Sequence, residues 1–336
     1  SVPDGRPTLI ACRTHIGFGS PNKQDTSGAH GSPLGPEEVA ATKRAYGWPE
    51  DAQFLVPDDV ARWAPELIER GRGLQAEWDA RIAAYAAAYP AEAAELARVG
   101  EGRLPDGWED AAPHFAAGES IATRASAGKA LNAFAAAVPE LIQGAADLSS
   151  STSPDLKGMG TVTRDDFSGR NLYYGVREHA MGAITNGIAA HAGLRPVCST
   201  FFTFSDYMKN TIRLAALMRL PSIFIFTHDS IALGEDGPTH QPIEHLAALR
   251  AIPDLVTIRP ADATEATEAW RIAIGRTDGP TVLVLSRQGL ETLEGTPAVE
   301  RGAYVLADGD DCILIGTGSE VGTAMAAREI LAGYRA

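Results

Sequence analysis

Residues 221–241 read PSIFIFTHDSIALGEDGPTHQ. The first six are largely apolar and rich in isoleucine and phenylalanine. The other fifteen hold two histidines (His228, His240), three carboxylates (Asp229, Glu235, Asp236), two glycines and a proline. A short apolar run that stops abruptly at polar and glycine residues is the pattern of a buried parallel strand emptying into a loop at its carboxyl end. In open α/β sheets ligands bind at that edge. A solvated loop with incidental histidines is the other reading of the same residues.

Working outward, the same alternation repeats on both sides. Helical patterns at 121–138, 178–191, 206–220, 243–252 and 264–274 interleave with apolar runs at 141–144, 172–176, 196–199, 222–226, 256–259 and 281–286. This predicts an α/β fold, a doubly wound parallel sheet flanked by helices, with partial flanking domains. Upstream, PTLIAC at 7–12 reads as a short strand entering a glycine-rich loop of some twenty residues, too long for a turn. A helix is expected at 36–46, with Glu37 and Glu38 in its first turn. An alanine-rich, charged segment from 58 to 99 reads as a helical linker broken at Pro90. Downstream, CILIG at 312–316 reads as another strand entering GTGSEVG, a second strand-to-helix start.

Composition narrows the function classes. The chain has 336 residues, 45% of them hydrophobic, enough for roughly two cores. A net charge of −14 argues against a large nucleic-acid footprint and against adhesion to anionic membranes. No run reaches the ~18 apolar residues of a membrane span. The segment SVPDGRP lacks the basic region and apolar core of a secretory leader. Three widely spaced cysteines (Cys12, Cys198, Cys312) form no CxxC pair and are expected to be buried thiols in a reducing, cytoplasmic setting.

Charged residues fall at the carboxyl ends of several predicted strands: Asp147, Arg177 with Glu178, the group from His228 to His240, Arg259 and Arg287. Such convergence predicts one shared site. Other signals are ambiguous singly. GTGSEVG fits a tight turn as well as a phosphate cradle. His179 and His191 fit satisfied histidines on a helix. Phe201, Phe204 and Tyr207 recur every third residue, which by itself suggests core packing. His228 with Asp229, and His240 with His245, raise a metal-dependent hydrolase as a rival chemistry, but no HExxH-type ligand spacing accompanies them.

Longer strings decide among these. THDSIALGEDGPTHQPIEHLAALR, preceded by YYGVREHAMGAITNG and TFFTFSDYMKNTIRLAAL and followed by VTIRPAD and LSRQ, closely resembles transketolase, a thiamine-diphosphate enzyme. The similarity extends upstream through CRTHIGFGSPN and AHGSPLG. Dihydroxyacetone synthase is the nearest alternative of the same class.

The resemblance implies transfer of a two-carbon ketol unit from a ketose phosphate to an aldose phosphate in the pentose phosphate pathway. It also implies a cytoplasmic homodimer with the active site at the interface. Glu178 matches the glutamate that hydrogen-bonds the cofactor pyrimidine and drives its imino tautomer. Phe201, Phe204 and Tyr207 match the pyrimidine pocket, Asp147 an aspartate supporting the cofactor, and Ile16 its aliphatic contact. Arg124, Ser151, His228 and Arg287 match the phosphate-binding set. His30 and His240 match histidines near the reacting carbons, and Asp236 an aspartate that binds a substrate hydroxyl.

The chain departs from the family pattern in places. His15 stands where an aliphatic residue or threonine is usual, and AADLSSS replaces SADLAPS around Ser151. No GDG motif followed by asparagine some thirty residues later occurs, and in the family that motif holds Mg2+ or Ca2+ and the diphosphate. No metal ligand is therefore expected within these residues. The implied organisation is the carboxyl-terminal part of the diphosphate-binding domain (1–57), a helical linker (58–117), a pyrimidine-binding α/β domain (118–298) and the start of a carboxyl-terminal α/β domain (299–336). Alone, such a chain is expected to be incomplete. A non-catalytic, dimerising subunit that requires a partner with the GDG motif is the alternative from another class.

Overall fold

The computed structural model describes residues 9–295 and 297–333, and these fall into two compact units that meet in sequence between Ala84 and Tyr85. In the first unit, helix α1 (Pro36–Ala45) starts with proline at its first turn, where the missing N–H costs no hydrogen bond. Glu37 and Glu38 occupy the amino-terminal turn and Lys43 and Arg44 the last, each complementing the helix dipole. Helix α2 (Asp58–Ala88) contains Pro65, buries no residue and runs past the division at Ala84, and α3 (Pro90–Gly100), within the second unit, begins afresh at Pro90.

The second unit is built on a six-stranded sheet whose strand pairs are all parallel. A small antiparallel pair, β1 (Ser120–Ala122) with β8 (Gly289–Glu291), lies outside it. The sheet strands are β2 (Leu141–Ala145), β3 (Asn171–Tyr173), β4 (Arg195–Phe201), β5 (Ile223–Thr227), β6 (Val256–Ile258) and β7 (Thr281–Leu285), in spatial order β3-β2-β4-β5-β7-β6. Between them run α4 (Thr123–Ala137), the short α5 (Ser149–Thr152), α6 (Glu178–His191), α7 (Lys209–Leu217), α8 (His245–Arg250) and α9 (Ala263–Gly275); α10 (Glu320–Gly333) follows.

Side-chain alternation along the central strands gives the sheet two cores. Ile223, Ile225, Leu283 and Leu285 pack with Leu131 and Phe134 of α4 and Trp270 of α9. Phe224, Phe226, Val282 and Val284 pack with Met181 of α6, Ile212 of α7 and Leu249 of α8. Helices thus cover both faces, which is the doubly wound arrangement expected from the alternation of elements.

Four expectations fail. Leu9–Cys12 form no strand, and Leu9 is 93% exposed; Pro7 and Thr8 lie outside the described residues. Cys312–Ile315 also form no strand, with Ile313 and Ile315 exposed. In both places no described strand lies alongside to satisfy the backbone, and an unpaired β-segment has nothing to hold it. Cys12 and Cys312 are consequently exposed, and only Cys198 is a buried thiol, pushed up to about 12 by burial. The helix expected from residue 121 begins at Thr123, because Ile121 and Ala122 pair with Leu290 and Gly289.

Candidate active site

Sheet register explains how distant residues meet. Phe201 at the end of β4 pairs with Thr227 of β5, and Thr227 with Leu285 of β7. His228 and Arg287 therefore emerge at nearly the same height, one and two residues past paired positions. Asp147 emerges two residues beyond the paired Ala145 and Ser199. Asp147 (φ 59°) and His228 (φ 63°) both hold left-handed backbone, a strained conformation outside glycine that clusters at ligand sites.

Arg124 reaches the same edge by another route. Thr123 N–H donates to Ser286 Oγ at 3.1 Å, Ser286 N–H donates to Thr123 Oγ1 at 2.7 Å, and Arg124 N–H donates to the Ser286 carbonyl. This buried clamp fixes the start of α4 against the end of β7. The Arg124 guanidinium then donates to the Ser151 carbonyl at 2.6 Å and lies 3.5 Å from His228 Nε2. Ser151 thus enters the site through its backbone oxygen.

His228 is 3% exposed, and its ring centroid lies 3.8 Å from that of Phe201. Burial, aided by the Arg124 and Arg287 charges and opposed by Asp236, lowers its pKa to about 4. The imidazole is neutral at pH 7. Because guanidinium can only donate, Nε2 carries the lone pair and Nδ1–H points to Thr227 Oγ1, 2.8 Å away. Burial and the Arg287 charge lower the Arg124 pKa, the second cause placing the two arginines within electrostatic reach of each other. Arg287 also pairs with Glu235 at 3.3 Å. His240 stands edge-on to Phe204 with centroids 5.3 Å apart, and its Nδ1 is 2.8 Å from Thr239 Oγ1. Asp236 is exposed, in a loop where Gly234 and Gly237 have positive φ.

The aromatic residues do not form a core stripe. Phe201 closes β4, and Phe204 and Tyr207 lie on the 3-10 helix that follows it (Phe202–Met208), whose three-residue turn eclipses every third side chain. Phe201 and Phe204 stack at 5.9 Å with planes 9° apart, and Tyr207 follows at 6.0 Å, 63% exposed. Phe202, Ser205 and Met208 of the same turn are the buried ones. The result is a ladder of rings with an open end.

Glu178 is the first residue of α6, half-buried, and Asp147 is exposed. Ile16 and His30 belong to the first unit. The Ile16 carbonyl accepts from Asp25 N–H at 2.9 Å, and the neighbouring His15 Nδ1 lies 3.0 Å from both Asp25 carboxylate oxygens. His15 is thus engaged with Asp25. Glu38 fastens this loop, accepting from Ser20 Oγ and, at 2.9 and 2.8 Å, from Asn22 N and Nδ2; the Ser20 and Asn22 bonds hold its carboxyl down near 2. His30 is exposed behind a short 3-10 turn (Ser27–Ala29).

One expectation about the charged edge is corrected. Asp229 and Arg259 do not join the Arg124–His228 group. They form their own buried pair at 2.7 Å, and the guanidinium continues to Glu320, the Thr317 carbonyl and Ser319 Oγ. A buried carboxylate needs a counter-charge, and Arg259 is committed to that task. The GTGSEVG turn wraps this arginine: Gly318 has φ 58°, and a Cβ there would stand 2.6 Å from Arg259 Cγ.

With this geometry in hand, residues 119–292 match the family described as "Transketolase, pyrimidine binding domain". The chain belongs to the transketolase family. Residues 2–105 match "Transketolase, thiamine diphosphate binding domain". Transketolase of Geobacillus stearothermophilus is 52% identical over 337 residues, covering 97% of this chain and 50% of that protein. Transketolase of Bacillus subtilis is 49% identical over the same shares. Among solved structures, a Pichia stipitis transketolase in complex with sedoheptulose 7-phosphate superposes with a TM-score of 0.92 at 41% identity, over 98% of this chain and 50% of that one. The Leishmania mexicana transketolase gives 0.88 at 41% identity, over 95% and 48%. The chain spans about half the length of the transketolases it matches.

The Thr123–Ser286 clamp, the Thr227–His228 bond and the Glu38 anchor were not anticipated from sequence. Nothing in a lone serine or threonine marks a partner 163 residues away.

Proposed function

We propose that this chain forms the pyrimidine-binding half of a transketolase active site, and that the complete enzyme moves a two-carbon ketol unit between sugar phosphates. The observation that carries the reading is the convergence of a stacked aromatic ladder and a histidine held neutral with two arginines at one sheet edge. Family membership supplies the chemistry such an edge serves.

The residues present fit the aromatic part of the cofactor. Phe201, Phe204 and Tyr207 offer ring faces, and Tyr207 leaves its own largely open. Thiamine diphosphate supplies, when bound, the electron sink that allows a carbon–carbon bond beside a carbonyl to break and reform. Glu178 would hold a proton between its carboxyl and the pyrimidine nitrogen. Asp147 and Ile16 would brace the cofactor. Mg2+ or Ca2+ and the diphosphate would be held by a GDG-type segment, which these 336 residues do not contain.

Arg124 and Arg287, with His228 and the Ser151 hydroxyl, would take the substrate phosphate, since guanidinium forks match phosphate oxygens, while the Ser151 carbonyl orients Arg124. Neutral His228 can present Nε2–H to an incoming phosphate if Thr227 Oγ1 reverses its hydrogen bond and donates to Nδ1. Asp236 would bind a sugar hydroxyl, and His240 and His30 would pass protons at the reacting oxygens. A homodimer is supported by apolar side chains left open on and around α7, including Leu214, Leu217 and Met218. Placement in the cytoplasmic pentose phosphate pathway rests on family membership and on three free cysteines.

The deciding experiment uses the complete protein that carries this chain, with xylulose 5-phosphate as donor and ribose 5-phosphate as acceptor. Glu178→Ala should lower turnover by about 100-fold or more while leaving phosphate recognition intact. Unchanged turnover sinks the assignment.

A further inference from the structure

Asp206, Glu244 and His245 bring one imidazole and two carboxylates together, with one ligand atom from each within 4.8 Å of the others. Asp206 sits on the 3-10 helix between Phe204 and Tyr207, and His245 opens α8 just beyond the 227–241 loop. His245 is 6% exposed and lies against Phe202, ring centroids 5.6 Å apart. Its Nε2 is 3.2 Å from Asp206 Oδ2 and its Nδ1 is 3.8 Å from Glu244 Oε2. Yet both ring nitrogens are buried and neither makes a hydrogen bond.

A buried imidazole with two unmade hydrogen bonds is costly, and such an orphan calls for a partner. An ion pair with Asp206 alone would turn the ring to direct an N–H at the carboxylate, and the ring is not so directed. A metal ion asks for something else: lone pairs converging on a common centre. In a tetrahedral site with bonds of roughly 2.0–2.2 Å, neighbouring ligand atoms stand about 3.3–3.6 Å apart. The Nε2–Oδ2 separation already approaches that value. A single ion takes one ring nitrogen, Nε2, together with Asp206; Glu244, now nearest Nδ1, has a side chain 72% exposed and would swing across to complete the set, leaving a position for water.

We infer that Asp206, Glu244 and His245 form a binding site for a divalent transition-metal ion of the Zn2+ type. A mixed nitrogen and oxygen set of this kind favours Zn2+ over Mg2+ or Ca2+, which take oxygen ligands. The site shares no residue with the candidate active site and lies on its rim. Occupancy ties α8 to the 3-10 helix and so couples the mount of the aromatic ladder to the end of the substrate loop. This role is independent of the magnesium chemistry that the family implies.

The test is calorimetric titration of the chelator-stripped 336-residue chain with Zn2+ in excess Mg2+, accompanied by Co2+ titration read by visible absorption. One site should appear, with a tetrahedral Co2+ band and a higher thermal midpoint in Zn2+. Asp206→Asn, at an exposed position, should weaken Zn2+ binding at least about tenfold and abolish the thermal shift with the circular dichroism unchanged. His245→Gln should do the same if it folds; if it does not, Asp206→Asn decides. No Zn2+ binding, or binding of equal strength in Asp206→Asn, overturns the proposal.

Discussion

Arg124 Nη1 lies 3.5 Å from His228 Nε2, a cation against the lone pair of a buried, neutral imidazole. The two residues are 104 positions apart, and each is held by a separate device: the Thr123–Ser286 clamp for one, Thr227 Oγ1 for the other. This relationship sets the electrostatics of the proposed phosphate site.

His228 should titrate near 4 in the folded chain, well below an ordinary histidine. Between about 6.5 and about 4 the unfolded chain binds the proton that the folded chain refuses, so stability falls as pH drops through that window. Adding inorganic phosphate should raise the His228 pKa, because a bound anion favours the imidazolium. Histidine NMR titrations with and without phosphate check both statements, and an ordinary, phosphate-insensitive pKa contradicts them.

In the active enzyme, Arg124→Ala should raise KM for phosphorylated acceptors by about 10- to 100-fold, the cost of one or two charge-assisted hydrogen bonds. Non-phosphorylated aldoses should show a much smaller change. Steady-state kinetics on matched pairs of sugars provide the comparison.

Tyr207→Ala removes the open end of the ladder. Since Tyr207 is largely exposed, folding stability should stay within about 0.5 kcal/mol. Cofactor affinity should nevertheless drop roughly two- to tenfold, the worth of one aromatic pair. Loss of fold stability instead of affinity would mark the ladder as packing.

Gly182 of α6 faces α7 so closely that a Cβ would stand 2.3 Å from Thr211 Oγ1 and 3.1 Å from Met208 Cε. Gly182→Ala should therefore destabilise by about 1–3 kcal/mol through overpacking. A thermal midpoint lower by roughly 2–4 °C per kcal/mol would register it. Because Met208 closes the 3-10 helix, cofactor affinity should fall in parallel.

Much of the fold was legible because its signals are local. Runs such as IFIFT and TVLVL are apolar on both faces, as strands covered by helices on both sides must be, and each lies between helical patterns. The stretches 9–12 and 312–315 carry the same local signal and are not strands, since strand formation also needs a neighbour that local composition does not report. The period of three at Phe201, Phe204 and Tyr207 was visible, but whether it meant core or a ladder running from the interior to the surface depended on the 3-10 geometry and on which face the sheet covers.

By itself the sequence determined the order of the six sheet strands and the main helices between them, the family, and the types of residue delivered to one sheet edge. Only the tertiary structure decided which of those residues act together. Asp229 and His228 are adjacent in the chain, yet one is bound to Arg259 in a buried pair and the other faces Arg124. It also set Asp206, Glu244 and His245 together as a separate cluster, where the sequence had paired His245 with His240. The physical reason is range. Periodicity and propensity act over a few residues, whereas burial, charge pairing and hydrogen-bond partners are fixed by strand order and register across more than a hundred.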